Sequence, residues 1–246
     1  EILNTEAKFY DVVENIKKQL GDLSHVDVII GIPLFNEIEN LKDIIHIASE
    51  SLKHDNVSKL VVCIGDQRVQ DIIDNNIKKS DFKGLFGYTM PSGISERGYY
   101  IRAILEIARY MGADLVVLET DLEKNSSIEL KDFMIERVLK PVAKDYDMAI
   151  GRFRRHPFEN MSVPLFFSPL YTCFYSTNLI DPISGIFAMS HDFVEEFCIE
   201  FDQFHINTAG YGINQWIITT ACKKKKAICE VDLGAKQAPT FFGKQD

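Results

Sequence analysis

The chain has 246 residues, 46% of them hydrophobic and 26% charged, an ordinary globular mixture whose length suits one large domain or two small ones. A net charge of −9 argues against a basic nucleic-acid surface, and no apolar stretch is long enough to span a bilayer. Five scattered cysteines with no CxxC, and no signal-peptide pattern at the start, lead us to expect reduced thiols in a cytoplasmic protein.

In chain order, residues 6–20 carry apolar side chains at helical spacing, so 1–25 reads as a leading amphipathic helix without a partner of its own, ahead of a domain over 26–246. "VDVIIGIPLFNE" predicts a buried strand over 26–32 running into a loop, with a helix over 41–52. "KLVVCIGD" is a second strand ending at Asp66 with a helix behind it, and "GLFGYTM" a third. A helix over 99–111, the strand "DLVVLET", a helix over 128–139 and the strand "DMAIGRF" follow. Beyond Phe153 the rhythm breaks. "HPFENMSVPLFFSPLYTCFYSTN" reads as an irregular segment packed on the sheet, and "GIFAMS" and "AICEVDL" as late strands flanking a helix over 211–222.

Continuous apolar strands alternating with amphipathic helices predict a parallel sheet covered on both faces. The expected fold class is α/β, one domain with a nucleotide-type half over 26–125 and an acceptor-type half over 126–246. In such sheets ligands bind beyond the carboxyl ends of the strands. There the sequence puts Pro33, Asn36 and Glu37, then Asp66, then Gly93 and Arg97, then Glu119, Thr120, Asp121 and Glu123. Acidic and amide groups suit a nucleoside, an Arg among glycines suits a pyrophosphate, and paired carboxylates suit a divalent cation. Glu119, Asp121 and Glu123 crowd like charge at alternate positions, which lowers stability unless a metal ion, a basic side chain or solvent relieves it. No GxxxxGK[ST], GxGxxG or GxSxG motif competes with this reading.

Bland alternatives stand beside these. Asp66 could cap a helix, Trp216 is expected in the core, and His156 and His205 at the surface. The lysine run at 223–226 is expected at a solvated helix end rather than at a lipid headgroup. One of Arg152, Arg154 and Arg155 is expected to face the cleft.

"IPLFNE" resembles the PxxNE opening of GT-A glycosyltransferases, and "LETDLE" lies where that fold carries its DxD metal motif. "DPISGIFAMS" is similar to a segment of polyprenol-phosphate sugar transferases. "CIGDQ", "GYGINQW" and "EVDLGAK" resemble segments of the retaining phosphoglycerate and mannosylglycerate glycosyltransferases. The resemblance implies a GT-A fold with a mostly parallel sheet and transfer of a hexose from a nucleotide-diphosphate sugar to a small phosphorylated acceptor. That transfer would be metal-assisted and retaining. An inverting polyprenol-phosphate transferase and a catalytically impaired regulatory relative are the alternatives.

Carried over by position, Pro33, Leu34, Asn36, Glu37, Asp66, Gly93, Arg97, Glu119 and Thr120 would hold the donor nucleotide, and Arg155, Ser184, Gly185, Tyr211 and Gly212 the acceptor side. Asp121 and Asn214 would be catalytic. Asp121, Glu119 and Gln237 would hold Mg2+ or Mn2+. A homodimer is among the expected assemblies. The sequence departs from the pattern in Glu119 for the first Asp, Asn214 for an acid, and the lack of a late His; QxxRW is absent.

Overall fold

The computed structural model describes residues 2–21, 23, 26–34, 41–52, 57–67, 70–79, 84–120, 133–154 and 161–235. Its sheet has seven strands: β1 (Val28–Leu34), β2 (Lys59–Gly65), β3 (Leu85–Thr89), β4 (Asp114–Val117), β5 (Met148–Arg154), β6 (Phe187–Met189) and β7 (Ile228–Ala235). They lie in the order β3-β2-β1-β4-β6-β5-β7. All neighbours run parallel except β6, which is antiparallel to both β4 and β5. The sheet is therefore mostly parallel, as expected, with β6 its one antiparallel strand. Three residues are too few to carry a directional signal in sequence.

Alternating side chains of each strand feed two cores. Helices α1 (Ile2–Leu20), α4 (Arg97–Met111), α7 (His191–Cys198) and α9 (Gly212–Lys223) cover one face. The other is covered by α2 (Leu41–Glu50), α3 (Gln70–Lys79) and α5 (Met134–Val142). Phe9, Val12, Val13, Ile16 and Leu20 form the apolar stripe of α1 and are all buried. The leading helix thus has a partner: it lies on α4, with Arg102 of α4 paired to Glu6 at 2.9 Å. Helix α4 meets the sheet closely because Gly31 of β1 has no side chain; a Cβ there would overlap Cγ2 of Ile104. It ends at Gly112 in the left-handed conformation, which glycine adopts without steric cost.

The helix expected over 128–139 is seen as α5 over Met134–Val142, with 128–132 outside the described residues. The segment expected to be irregular is helical instead. A π-helical turn over Val163–Phe167 runs straight into α6 (Ser168–Tyr175). Pro164 sits in the first turn of this run, where the missing N–H costs no helical bond, and Pro169 falls at the change from π-helical to α-helical turns, where the regular ladder is already interrupted. A short helix α8 (Ile206–Ala209) precedes α9, with His205 as its N-cap. Among the described residues no helix is long and apolar enough to cross a membrane.

Candidate functional site

The carboxyl ends of β1, β2 and β4 lie along one sheet edge because the three strands are adjacent and parallel. Pro33 and Leu34 close β1 and are buried, and Asp66 follows β2, half-buried. Glu119 and Thr120 follow β4 at this same edge. β6 runs the opposite way, so the turn entering it also arrives here. Phe187, its first residue, sits opposite Val117, the last of β4. The antiparallel strand is what brings Ser184 and Gly185 to the edge where Glu119 stands.

Arg97 is the first residue of α4, two residues earlier than the expected start, and it is buried. Its guanidinium forms an ion pair with the Glu119 carboxylate. The ring of Tyr211 stacks on that guanidinium at 5.2 Å, while Tyr211 itself is exposed. From the first turn of α9, the Asn214 amide donates to Oε1 of Glu119 at 3.4 Å. Asn214 is 7% exposed, and its Oδ1 is buried without a hydrogen-bond partner among the described residues. The fourth side is Gly185, with φ of +80°, where a Cβ would overlap the Glu119 carboxylate. For Glu119 the like-charge crowding is thus answered by a basic side chain. Asp121 and Glu123 lie outside the described residues.

The turn at Gly185 is braced from behind. Glu230 of β7 accepts the backbone N–H of Asp181 at 2.7 Å and that of Ile180 at 2.9 Å. Asp181, almost fully buried, accepts the N–H of Phe153 at 3.1 Å. Ser184 is buried, and its hydroxyl donates to the carbonyl of Ile186 at 3.1 Å. Sequence spacing carries no signal of this brace, since Glu230 and Asp181 are 49 positions apart. Close packing also fixes the helix ends. A Cβ on Gly98 would overlap the carbonyl oxygen of Thr208, and one on Gly212 that of Asn207. Gly98, inside a helix start where Ala would serve better, was the one clue to this in the sequence.

Of the expected site residues, Arg97, Glu119, Gly185, Tyr211 and Asn214 form one cluster. Pro33, Leu34, Asp66 and Thr120 lie at the same strand ends, and Gly93, with φ of +92°, lies in the loop before Arg97. Asn36, Glu37, Asp121, Arg155 and Gln237 fall outside the described residues. So does His156. Among the described residues no group of three or more His, Cys, Asp or Glu side chains is gathered as a metal site.

Arg152 is paired with Asp232 at 3.2 Å. The backbone N–H of Gly234, then Arg152, holds the Asp232 carboxyl below its ordinary range. The late lysines are engaged as well: Lys224 pairs with Glu200 at 2.9 Å and Glu196 at 3.3 Å, and Lys226 with Asp147 at 3.7 Å and with Glu196. Trp216 packs against Phe197, Phe201 and Phe204, as a core residue does.

No family model and no curated protein matches the sequence. Solved structures do match. One is glucosyl-3-phosphoglycerate synthase from Mycobacterium tuberculosis with Mn2+, uridine diphosphate and phosphoglyceric acid. It is 14% identical with a TM-score of 0.63, the match covering 93% of this chain and 75% of that one. The same enzyme with Mn2+, uridine diphosphate and glucosyl-3-phosphoglycerate is also 14% identical, with a TM-score of 0.63 over 93% and 76%. With Mg2+ and uridine diphosphate it gives 13%, 0.61, 93% and 75%. The likeness spans nearly the whole chain and gives it the GT-A fold as a single domain.

Proposed function

We propose that this chain is a glycosyltransferase. It would move a hexose from a nucleotide-diphosphate sugar to a small phosphorylated, phosphoglycerate-like acceptor, with a divalent cation and with retention at the anomeric carbon. The observation that carries the reading is the cluster of Arg97, Glu119, Asn214, Gly185 and Tyr211. It stands at the strand ends of a fold shared with an enzyme solved with such a donor nucleotide, cation and acceptor.

In this proposal Asn36, Glu37 and Asp66 hold the nucleoside against the ends of β1 and β2. Arg97 would meet the diphosphate, and because its guanidinium is already desolvated and held in place by Glu119, little reorganisation is needed when the anion arrives. Asn214 keeps a buried oxygen free for a sugar hydroxyl while its amide fixes Glu119. The acceptor would lie towards Arg155, Ser184, Tyr211 and Gly212. One C–O bond forms to the acceptor oxygen as the bond to the diphosphate breaks, and the hydroxyl proton passes to the leaving diphosphate.

The donor set suits Mg2+ or Mn2+: Glu119 spends Oε1 on Arg97 and Asn214 and has a second oxygen, and Asp121 follows two residues on. Asp121, Glu119 and Gln237 are the proposed ligands. Such a cation, when bound, neutralises charge on the leaving diphosphate. The proposed setting is the cytoplasm, on the strength of the unpaired thiols.

The test is sugar transfer from a nucleotide-sugar panel to 3-phosphoglycerate with and without Mn2+, read by NMR for the first-formed anomer. An inverted anomer on a polyprenol phosphate would replace this reading with the inverting one. Calorimetric titration of uridine diphosphate with Mn2+ into wild type and Asp121→Ala checks the metal site, and equal affinities would remove Asp121 from it. A second reading rests on Asn214, an amide where an acid is expected. Donor binding without turnover across the panel would make the chain a nucleotide-sugar-binding regulator.

A further inference from the structure

From 161 to 180 the sequence has no Asp, Glu, Lys, Arg or His, the longest such run in the chain. Proteins normally hide a run of this kind. Here the π-helical turn and α6 bury only one side of it. Val163 and Tyr171 face inward, and the Tyr171 hydroxyl reaches Thr219 of α9 at 3.2 Å. The other side carries Met161, Leu165, Phe166, Leu170, Cys173 and Phe174. Leu165 is 70% exposed, Phe166 58%, Phe174 75% and Met161 54%. Phe166, Leu170 and Phe174 follow at four-residue intervals and Leu165 stands beside them, so these side chains make one continuous stripe. At roughly 200 Å² for a large apolar side chain, the stripe offers on the order of 600 Å². That reaches the upper end of what a monomer exposes in one patch.

We propose that this stripe is the interface of a homodimer, α6 against α6 of a second copy. Charge decides the occupant. Two copies of a chain carrying −9 repel each other, and around a twofold axis each surface meets itself. A face without any charge is the one that can do so free of like-charge contacts. Its Phe, Met and Leu side chains, with charged residues absent, are the composition of an interface core. A bilayer fits less well, because a helix lying on lipid carries lysines and arginines along its polar side and α6 has none. Two such stripes together would bury roughly 1,200 Å², the lower end of a specific interface, so a dimer detectable at micromolar concentrations is expected. The inference uses no residue of the candidate site and stands or falls apart from the glycosyltransferase reading.

Sedimentation velocity on the full chain from about 1 to 100 μM tests it, alongside Leu165→Glu and Phe174→Glu. Both side chains are mostly in solvent, so the variants should melt within a few degrees of wild type. Wild type is expected to dimerise and each variant to dimerise at least about 100-fold more weakly. Cys173 gives a readout independent of mass: its alkylation by N-ethylmaleimide should slow as wild-type concentration rises, and not in the variants. A wild type that is monomeric at 100 μM overturns the proposal. So does a dimer that both variants retain with Cys173 still reactive, which would put the interface elsewhere. Binding of monomers to phosphatidylcholine or phosphatidylglycerol vesicles, lost in the variants, would give the stripe to lipid instead.

Discussion

At the scale of single residues, the pair Arg97 and Glu119 has two duties that can be separated. Removing one partner takes from the other its buried opposite charge, which for buried pairs costs about 3–5 kcal/mol. Arg97→Met alone, or Glu119→Gln alone, should therefore lower the melting temperature by several degrees. The double variant removes both charges while keeping the shapes, and should melt close to wild type. If the pair serves a nucleotide diphosphate, the same double variant should lose at least about 100-fold in kcat/KM for donor. A double variant that regains both stability and activity would make the pair structural only. Gly185 is a sharper case. Alanine there meets a positive φ and the Glu119 carboxylate at once, so Gly185→Ala should cost about 1–3 kcal/mol in denaturant melts. It should also weaken donor binding, because Glu119 must move. An unchanged melt would mean the turn repositions freely, contrary to its bracing by Asp181 and Glu230.

Among the elements, α1 is held to α4 by one side chain in particular. Arg102 is fully buried, paired to Glu6, and ringed by Phe9, Tyr10, Phe201 and Phe204 with ring centres 4.2–5.5 Å from its guanidinium carbon. The two ends of this pair differ: Glu6 keeps 29% of its side chain in water and Arg102 none. Glu6→Gln leaves a buried cation with rings, the Tyr10 hydroxyl at 3.4 Å and a neutral amide around it but no anion, whereas Arg102→Met leaves an anion that can reach solvent and fills the cage with an apolar chain. Glu6→Gln should thus be the more destabilising of the two, by about 1 kcal/mol or more in urea melts. The reverse order would show that the aromatic rings outweigh the carboxylate.

Elements of this kind were legible where periodicity was clean. The stripe from Phe9 to Leu20 and the runs around Ile29, Val62 and Val116 announced themselves as helix and strands. Where two periods or two punctuators overlapped, they did not. Pro164 and Pro169 among aromatics read as loop, although a proline in a first turn, or at a junction of π-helical and α-helical turns, is compatible with helix. At the site, Arg97 and Glu119 were each picked out as singular residues at strand ends. Their mutual bond was not, because a separation of 22 residues says nothing about contact. The brace from Glu230 to Asp181 was hidden for the same reason.

For the molecule as a whole, the five cysteines act as reporters of compactness. Cys63, Cys198 and Cys222 are buried, Cys229 is half-covered and Cys173 is exposed. Burial pushes the Cys63 thiol up to about 12 and raises those of Cys198, Cys222 and Cys229 as well, so at pH 8 these four are withheld as thiols from an electrophile. Native protein, dilute enough to be monomeric, should show one fast-reacting thiol with Ellman's reagent, lost in Cys173→Ser, and five in guanidinium. Two or more fast thiols in the native state would mean that a core opens readily on that timescale.

The antiparallel strand β6 bears on how such a chain is made. β1 to β4 can pair among themselves as soon as residue 117 has been synthesised, each strand meeting a neighbour already present. β5 has no such neighbour. Its two partners in the sheet, β6 and β7, both come later, and β4 does not pair with it. A newborn chain therefore holds Met148–Arg154, with two bare edges, until Phe187–Met189 emerges to join it to the finished half. Unpaired strand edges are where nascent chains stick to one another. The strand meets that interval with Arg152, Arg154 and Arg155 at its end, three like charges that hinder the approach of another copy. These arginines are then guardians first, and their loss should be felt in the yield of soluble protein before it is felt in any property of the protein that folds.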